Sequence, residues 1–416
     1  MRLARRAFLA SMAASVAAPA ILRRARADAP QVALKLHHYF SAVSGGHERF
    51  LVPWARKVQT ESGGRVRIDL FPSMQLGGAA AQLFDQARDG IADIVWAAPS
   101  ATPGRFAKIE AFELPFVLSH RALVNSRALQ DYAAANLQDE FREVHPICFS
   151  CRDHGVVHSS RAVQSIEDLK GLRLHVPSRL AGEAVGALGA SGVTVPIPQV
   201  PMALAAHAID GCLDPWDVVP GLRLNDLLKS HTDFAESALS TAPFVLAMNK
   251  ASYDHLPPDL KGVIDSNSGQ VAAGMAGAMW DLEARAIADT ARQRGDPITV
   301  LAAEETAHWR KATAPVIAAW QKQMKERKLD GGRLIAAVHA LVAKYANEPE
   351  PQQPQAQQPQ ASQPAEPKIA SEPQPSAANA GFTRPKADVP AAAPPALGGK
   401  AVPTAVTRPT ELDIPL

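Results

Sequence analysis

At 416 residues the chain has enough length for two separate cores, and its formal charge of +2 is small for that size. Residues 1–27 hold six arginines and no acid, so without them the charge falls from +2 to −4. A mildly acidic chain with no basic cluster speaks against nucleic-acid binding.

In chain order, Arg2, Arg5 and Arg6 form a basic start, Ala7 to Ile21 is a small-residue apolar stretch, and Ala25-Arg26-Ala27 is a cleavage signal. This reads as a signal peptide removed before Asp28. The apolar stretch is too short to span a membrane. Arg5-Arg6-Ala7-Phe8-Leu9 also fits a twin-arginine export signal, so Sec and twin-arginine export both stay open.

From Val32 onward, short apolar strands alternate with amphipathic helices, the pattern of an α/β protein. Strands are expected at Val32–His37, Val66–Leu70, Ala92–Ala97 and Pro146–Cys151. Helices are expected at 47–62, stopped by Gly63-Gly64, and at 79–88, stopped by Gly90. Pro53 falls in the opening turns of the first helix, where proline is best tolerated. The second half repeats the pattern: strand 172–176, helix 179–188, strand 193–196, short helix 202–208, then a crossover strand 244–248. A single long helix is expected over 260–294, long enough to brace two lobes, and closing helices over 309–328 and 332–345. From Glu348 to Leu416 the chain holds 15 of the 34 prolines and one aromatic, Phe382. Such a tail buries too little apolar surface to offset its ordering entropy and is expected to be disordered.

The three cysteines are Cys148, Cys151 and Cys212. Cys148 and Cys151 lie three apart on an expected strand, so they point to opposite faces and do not form a redox pair. The histidines lack zinc spacing. There is no G-x-S-x-G, and no serine has an identifiable histidine–acid pair, so neither metal, cofactor nor catalytic constellation is expected.

Three phrases stand out: Ser73-Met74-Gln75-Leu76-Gly77-Gly78, Phe112-Glu113-Leu114-Pro115-Phe116, and Asp168-Leu169-Lys170-Gly171 running to Pro177. With Asp89 to Trp96, Ile209-Asp210-Gly211, Pro215-Trp216-Asp217-Val218 and Met248-Asn249-Lys250, their order over residues 31–345 resembles the solute-binding subunits of tripartite ATP-independent periplasmic (TRAP) transporters, the dicarboxylate-binding-protein-like family. The resemblance implies an α/β, two-lobe periplasmic solute-binding fold with crossing hinge strands and a long bracing helix. It implies lobe 1 at 28–151 and 243–275, and lobe 2 at 152–242 and 276–347. It also implies a periplasmic receptor, not an enzyme, that captures a small polar metabolite by lobe closure and passes it to an ion-coupled TRAP permease. A ligand receptor for a sensor kinase or chemoreceptor uses the same fold and remains the alternative.

In open α/β sheets, ligands sit beyond the carboxyl ends of strands. That rule nominates His38, Tyr39, Trp96, Arg152, Asp153, His154, His175, Asp214 and Trp216, with Phe244 starting the crossover strand and Arg179 nearby. In the family the strand after the D-L-K-G phrase carries an arginine that grips a substrate carboxylate bidentately. Here that position is His175, and Asp214 stands where the family often has asparagine. A protonated His175 binding an organic acid, and a His175–Asp214 pair binding a neutral or amine-bearing ligand, both stay open.

Overall fold

The computed structural model describes residues 30–348; the expected signal peptide and the proline-rich tail lie outside them. Two sheets form the frame. The first has the order β2-β1-β3-β10-β4, with β1 Val32–His38, β2 Val66–Phe71, β3 Ile94–Ala97, β4 Val144–Cys151 and β10 Pro243–Asn249. The second has the order β11-β9-β5-β8-β6-β7, with β5 Val156–Ser159, β6 Arg173–His175, β7 Ser191–Val193, β8 Gly211–Asp214, β9 Ser230–Phe234 and β11 Ile298–Leu301. Strand β1 runs parallel to β2 and β3, whereas β10 returns antiparallel to both β3 and β4.

The helices are α1 Val52–Glu61, α2 Leu83–Arg88, α3 Ala122–Asn136, α4 Ile166–Leu169, α5 Arg179–Ala187, α6 Val200–Ala205, α7 Val218–Gly221, α8 Lys250–Asp254, α9 Pro258–Ser266, α10 Gln270–Arg294, α11 Ala303–Glu326 and α12 Gly331–Ala346. They cover both faces of the first sheet, and alternation along its strands divides the side chains between two cores. Ile94 and Trp96 face α1, α9 and α10, while Val95 and Ala97 face α2, α3 and α12. Cys148 and Cys151 fall in these opposite cores, and all three cysteines are buried and unpaired. Among the described residues, no helix is long and apolar enough to cross a membrane.

The phrases that mark the sequence are loops and caps. Ser73, Met74, Gly77 and Gly78 all take positive φ, curling the loop back onto β1. There Leu76 N donates to His37 Nε2 at 3.3 Å, and His37 Nδ1 meets Gln86 Oε1 at 2.6 Å. The Asp168 carboxylate caps its own helix, α4, accepting from Gln164 N and Ser165 N at 2.9 and 3.0 Å. Gly171, at φ 76°, then turns the chain into β6.

Three expectations need correction. The single helix over 260–294 is two helices, broken at 267–269. Gly269, at φ 60°, donates its N–H to Ile147 O, and the buried Asn267 carbonyl accepts from the Trp54 indole at 2.8 Å. The helix at 47–62 opens as a π-helical turn, Gly46–Leu51, before α1. Val52 N–H bonds five residues back, next to Pro53, which has no N–H to continue an α-helical ladder. The strand expected at 193–196 ends at Val193, where Pro196 starts a turn.

Helix α10 still braces the two sheets. Its Ala272, Ala273 and Ala276 pack in the first sheet's core, and Ala284, Ala288 and Ala291 pack with Val156 and Trp216 of the second. Helix α11 does the same from another side: Trp309 joins the second core, and Val316, Trp320 and Met324 join the first, with Leu334 and Val338 of α12. Close approach of α10 to α3 depends on Gly277, whose added Cβ would sit 2.6 Å from Leu123 Cα and 2.9 Å from Ala122 O. Gly277→Ala is expected to cost about 1–3 kcal/mol, although alanine is otherwise the better helix former. Gly274→Ala, one turn earlier with nothing within 4 Å, is expected to be neutral or stabilising. Urea unfolding of the two variants checks the difference.

Candidate functional site

Between the sheets, strand ends bring a cationic, an acidic and an aromatic set together. Arg152 follows β4, and its backbone N–H bonds to Ala242 O, just before β10. Its guanidinium lies 5.4 Å from the Phe40 ring and 5.3 Å from the Trp280 ring. Nη2 donates to Asp217 Oδ2 at 2.5 Å, and Nε has no hydrogen-bond partner. Arg152 is 8% exposed, so this is a buried ion pair linking the end of the first sheet to the loop after β8. The Asp217 carboxylate holds the guanidinium charged despite burial.

The walls are aromatic. Trp96, at the end of β3, stacks on Phe40 at 4.8 Å and lies 6.0 Å from Trp280 and 5.0 Å from Phe244. Tyr39, half-buried, stacks on Phe40 at 4.4 Å. Gly46 brings the chain over this stack so closely that a Cβ would meet the Trp96 ring at 2.7 Å. Phe244 opens β10 beside Tyr39 and Phe40.

On the second-sheet side, His175 ends β6 and Asp214 ends β8. His175 Nε2 lies 3.7 Å from Asp214 Oδ2, and the two are 2% and 0% exposed. Burial pushes the His175 imidazole down to about 4. In this arrangement burial therefore disfavours the cationic form of His175. Burial also pushes the Asp214 carboxyl up to about 8, against the pull of Arg152.

His154 is already engaged. Its Nδ1 meets Asp153 Oδ1 at 3.0 Å and its Nε2 meets Asp233 Oδ1 at 2.6 Å, clamping the entrance of β5 to the end of β9. These two carboxylates outweigh the cost of burial and hold the imidazole well above its usual range. Trp216 packs against α10 and the buried His158 and His231 rings, at 5.1 and 4.8 Å. Arg179, at the start of α5, pairs with Glu183 at 2.6 Å and with Glu110 at 3.1 Å, which places it at the seam of α5 and the 109–112 turn. His38 is buried, its Nε2 3.0 Å from His47 Nδ1.

The structure thus brings Tyr39, Trp96, Arg152, His175, Asp214 and Phe244 to one buried cluster and gives His154, Arg179 and Trp216 to packing and ion pairs around it. Phe40, Asp217 and Trp280 belong to the cluster too. Asp217 stood in a marked phrase, but Trp280 lies mid-helix, where no strand-end rule points. Indole N–H groups of Trp96 and Trp280, Arg152 Nε, both His175 nitrogens and both Asp214 oxygens are buried without partners. Such atoms are rare in native interiors, and their concentration here makes this cluster the candidate site for a polar ligand. A groove of about 320 Å³ between Lys108, Asn136, Asp330 and Arg333, at the junction of α3 and α12, is a weaker candidate. Its lysine is already bonded to Asp139 and to the Asn136 carbonyl.

Two α/β sheets with a buried polar and aromatic cluster at their facing strand ends are the architecture expected of a solute-binding receptor. The model of bacterial extracellular solute-binding proteins, family 7, matches residues 37–323, and the chain belongs to that family. A TRAP solute-binding protein from Rhodoferax ferrireducens T118, in complex with copurified benzoate, is 39% identical with a TM-score of 0.73; the alignment covers 76% of this chain and 98% of that one. A marine-metagenome TRAP solute-binding protein specific for aromatic acid ligands, in complex with 3-hydroxybenzoate, is 36% identical over 76% of this chain and 99% of that one, with a TM-score of 0.73. Among curated relatives, the sialic acid-binding periplasmic protein SiaP of Vibrio cholerae is 26% identical over 42% of this chain and 56% of its own length. An uncharacterised protein of Sinorhizobium fredii is 26% identical over 62% of this chain and 48% of its own length. The chain therefore spans about half the length of these curated relatives. Family and structural neighbours are solute-binding receptors, not enzymes.

The His154 clamp gives a test of sign. Its pKa is raised on folding, so its stabilisation is complete below the unfolded value of about 6.5 and is lost as pH rises through the folded value. His154→Gln is expected to cost about 3–5 kcal/mol near pH 6. The gap to wild type should narrow at higher pH, as read by urea unfolding at a series of pH values.

Proposed function

We propose that this chain is the exported receptor of a TRAP transporter and that its ligand is an aromatic monocarboxylate. The observation that carries the reading is Arg152: a buried guanidinium flanked by Phe40 and Trp280, with one edge given to Asp217 and Nε unpartnered. A carboxylate takes the unpartnered Nε side, and an aromatic ring packs against the neighbouring faces of Tyr39, Trp96 and Phe244 once the lobes open. The benzoate and 3-hydroxybenzoate bound by the two relatives above support the same ligand class.

The two sheets with their cores act as the lobes, with β4 and β10 crossing between them. Because Arg152, His175 and Asp214 are all shut from solvent, the ligand enters by lobe opening, and closure buries it. Delivery to an ion-coupled membrane permease, and export with removal of residues 1–27, complete the reading. No cofactor or metal takes part.

Titration calorimetry with benzoate tests it. Wild type is expected to bind, with a rise in melting temperature by mass action. Arg152→Lys keeps the charge but loses the planar fork, and is expected to weaken benzoate by roughly tenfold or more. Binding of sugars or amines with no response to benzoate would overturn the ligand class.

A further inference from the structure

An Arg152-anchored carboxylate leaves one pair in the cluster unexplained. Asp214 has no exposed surface, and neither of its oxygens is hydrogen-bonded to an N–H or O–H; the Cys212 thiol on the same strand is a weak donor beside it. His175 Nε2, 3.7 Å away, is beyond hydrogen-bond length and itself unpartnered. The nearby cation, Arg152, is committed through Nη2 to Asp217. The other groups facing Asp214 add no positive charge. Cys212, on the same strand, and Tyr39, at the end of β1, are both held protonated by burial. Asp217 is an acid, and His158, whose Nε2 is 3.1 Å from the Asp214 carbonyl oxygen, is kept neutral by burial. An ionised carboxylate in this position would be a buried charge without a partner of its own, which is strongly disfavoured. A protonated one supplies an O–H donor beside Arg152, in the cluster read here as the carboxylate site.

We propose, on the reading that the ligand is a carboxylate, that Asp214 meets it as a neutral carboxylic acid and donates its proton in a hydrogen bond to a ligand oxygen. A carboxyl kept neutral by its surroundings is an effective donor to an oxyanion. The burial that raises Asp214 to about 8 sets where this donor is lost in the empty receptor. A bound anion opposes ionisation further, so the bound form keeps its proton to higher pH. Linkage then fixes the sign: affinity is level below the free-state value and falls above it by about tenfold per pH unit.

The experiment is calorimetric titration of benzoate from about pH 6.5 to about pH 9.5 in wild type and Asp214→Asn, whose amide is a donor that does not ionise. Wild type is expected to lose about tenfold per pH unit in the alkaline range, and Asp214→Asn to bind with level affinity throughout. A flat wild-type profile, or the same fall in Asp214→Asn, overturns the proposal. A second readout needs no ligand: the infrared difference between wild type and Asp214→Asn at neutral pH should contain a protonated-carboxyl C=O band, and its absence also overturns the proposal. If that band is present but benzoate does not bind at the acid end of the range, the aromatic-acid reading fails and the donor role falls with it, while the buried protonated acid stands.

Discussion

Burying Arg152 constrains everything around it. A guanidinium shut from water needs a counterion and polarisable neighbours, and Asp217 with the Phe40 and Trp280 faces meets both needs. Arg152 and these three partners come from four places in the chain: the end of β4, the loop after β8, the end of β1 and the middle of α10. Satisfying one charge therefore draws both sheets and the bracing helix to a common point. Other close approaches follow, such as Gly45 against Glu283, where a Cβ would lie 1.7 Å from the carboxylate.

The bracing helices set how this point is held. Alanines on α10 let it touch the first sheet's core at one end and Trp216 of the second at the other. The small side chains allow close backbone approach, and the packed faces on either side transmit force rather than absorb it. Helix α11 ties the same two cores through Trp309 and Trp320. On the proposed receptor reading, two bodies packed this way would move as units when the lobes open and close.

Family membership and ligand choice reside in different residues. The phrases that identify the family are turns and caps: His37 and Gln86 hold the 73–78 loop, Asp168 caps α4, and Asn249 donates to the Ala87 and Arg88 carbonyls. In this chain they serve the backbone, independently of any ligand. The candidate cluster instead holds side chains whose roles depend on their neighbours, which is how a shared fold can accommodate different solutes.

The sequence by itself determined the α/β class, most strands and helices, the strand-end rule that nominated Arg152, His175 and Asp214, and the positions where glycine must turn the chain. These are local matters: period-two alternation, helix stops and turn chemistry act within a few residues. It overran at 260–294, because the break at Asn267 and Gly269 is fixed by Trp54 and Ile147, which are distant in the chain. The tertiary structure alone decided that His154 belongs to Asp153 and Asp233, that Arg179 belongs to Glu110, that Trp280 joins the cluster from mid-helix, and that burial pushes His175 down and Asp214 up. Charge state and partnership depend on burial and on what lies across the cleft, and neither is a property of neighbours along the chain.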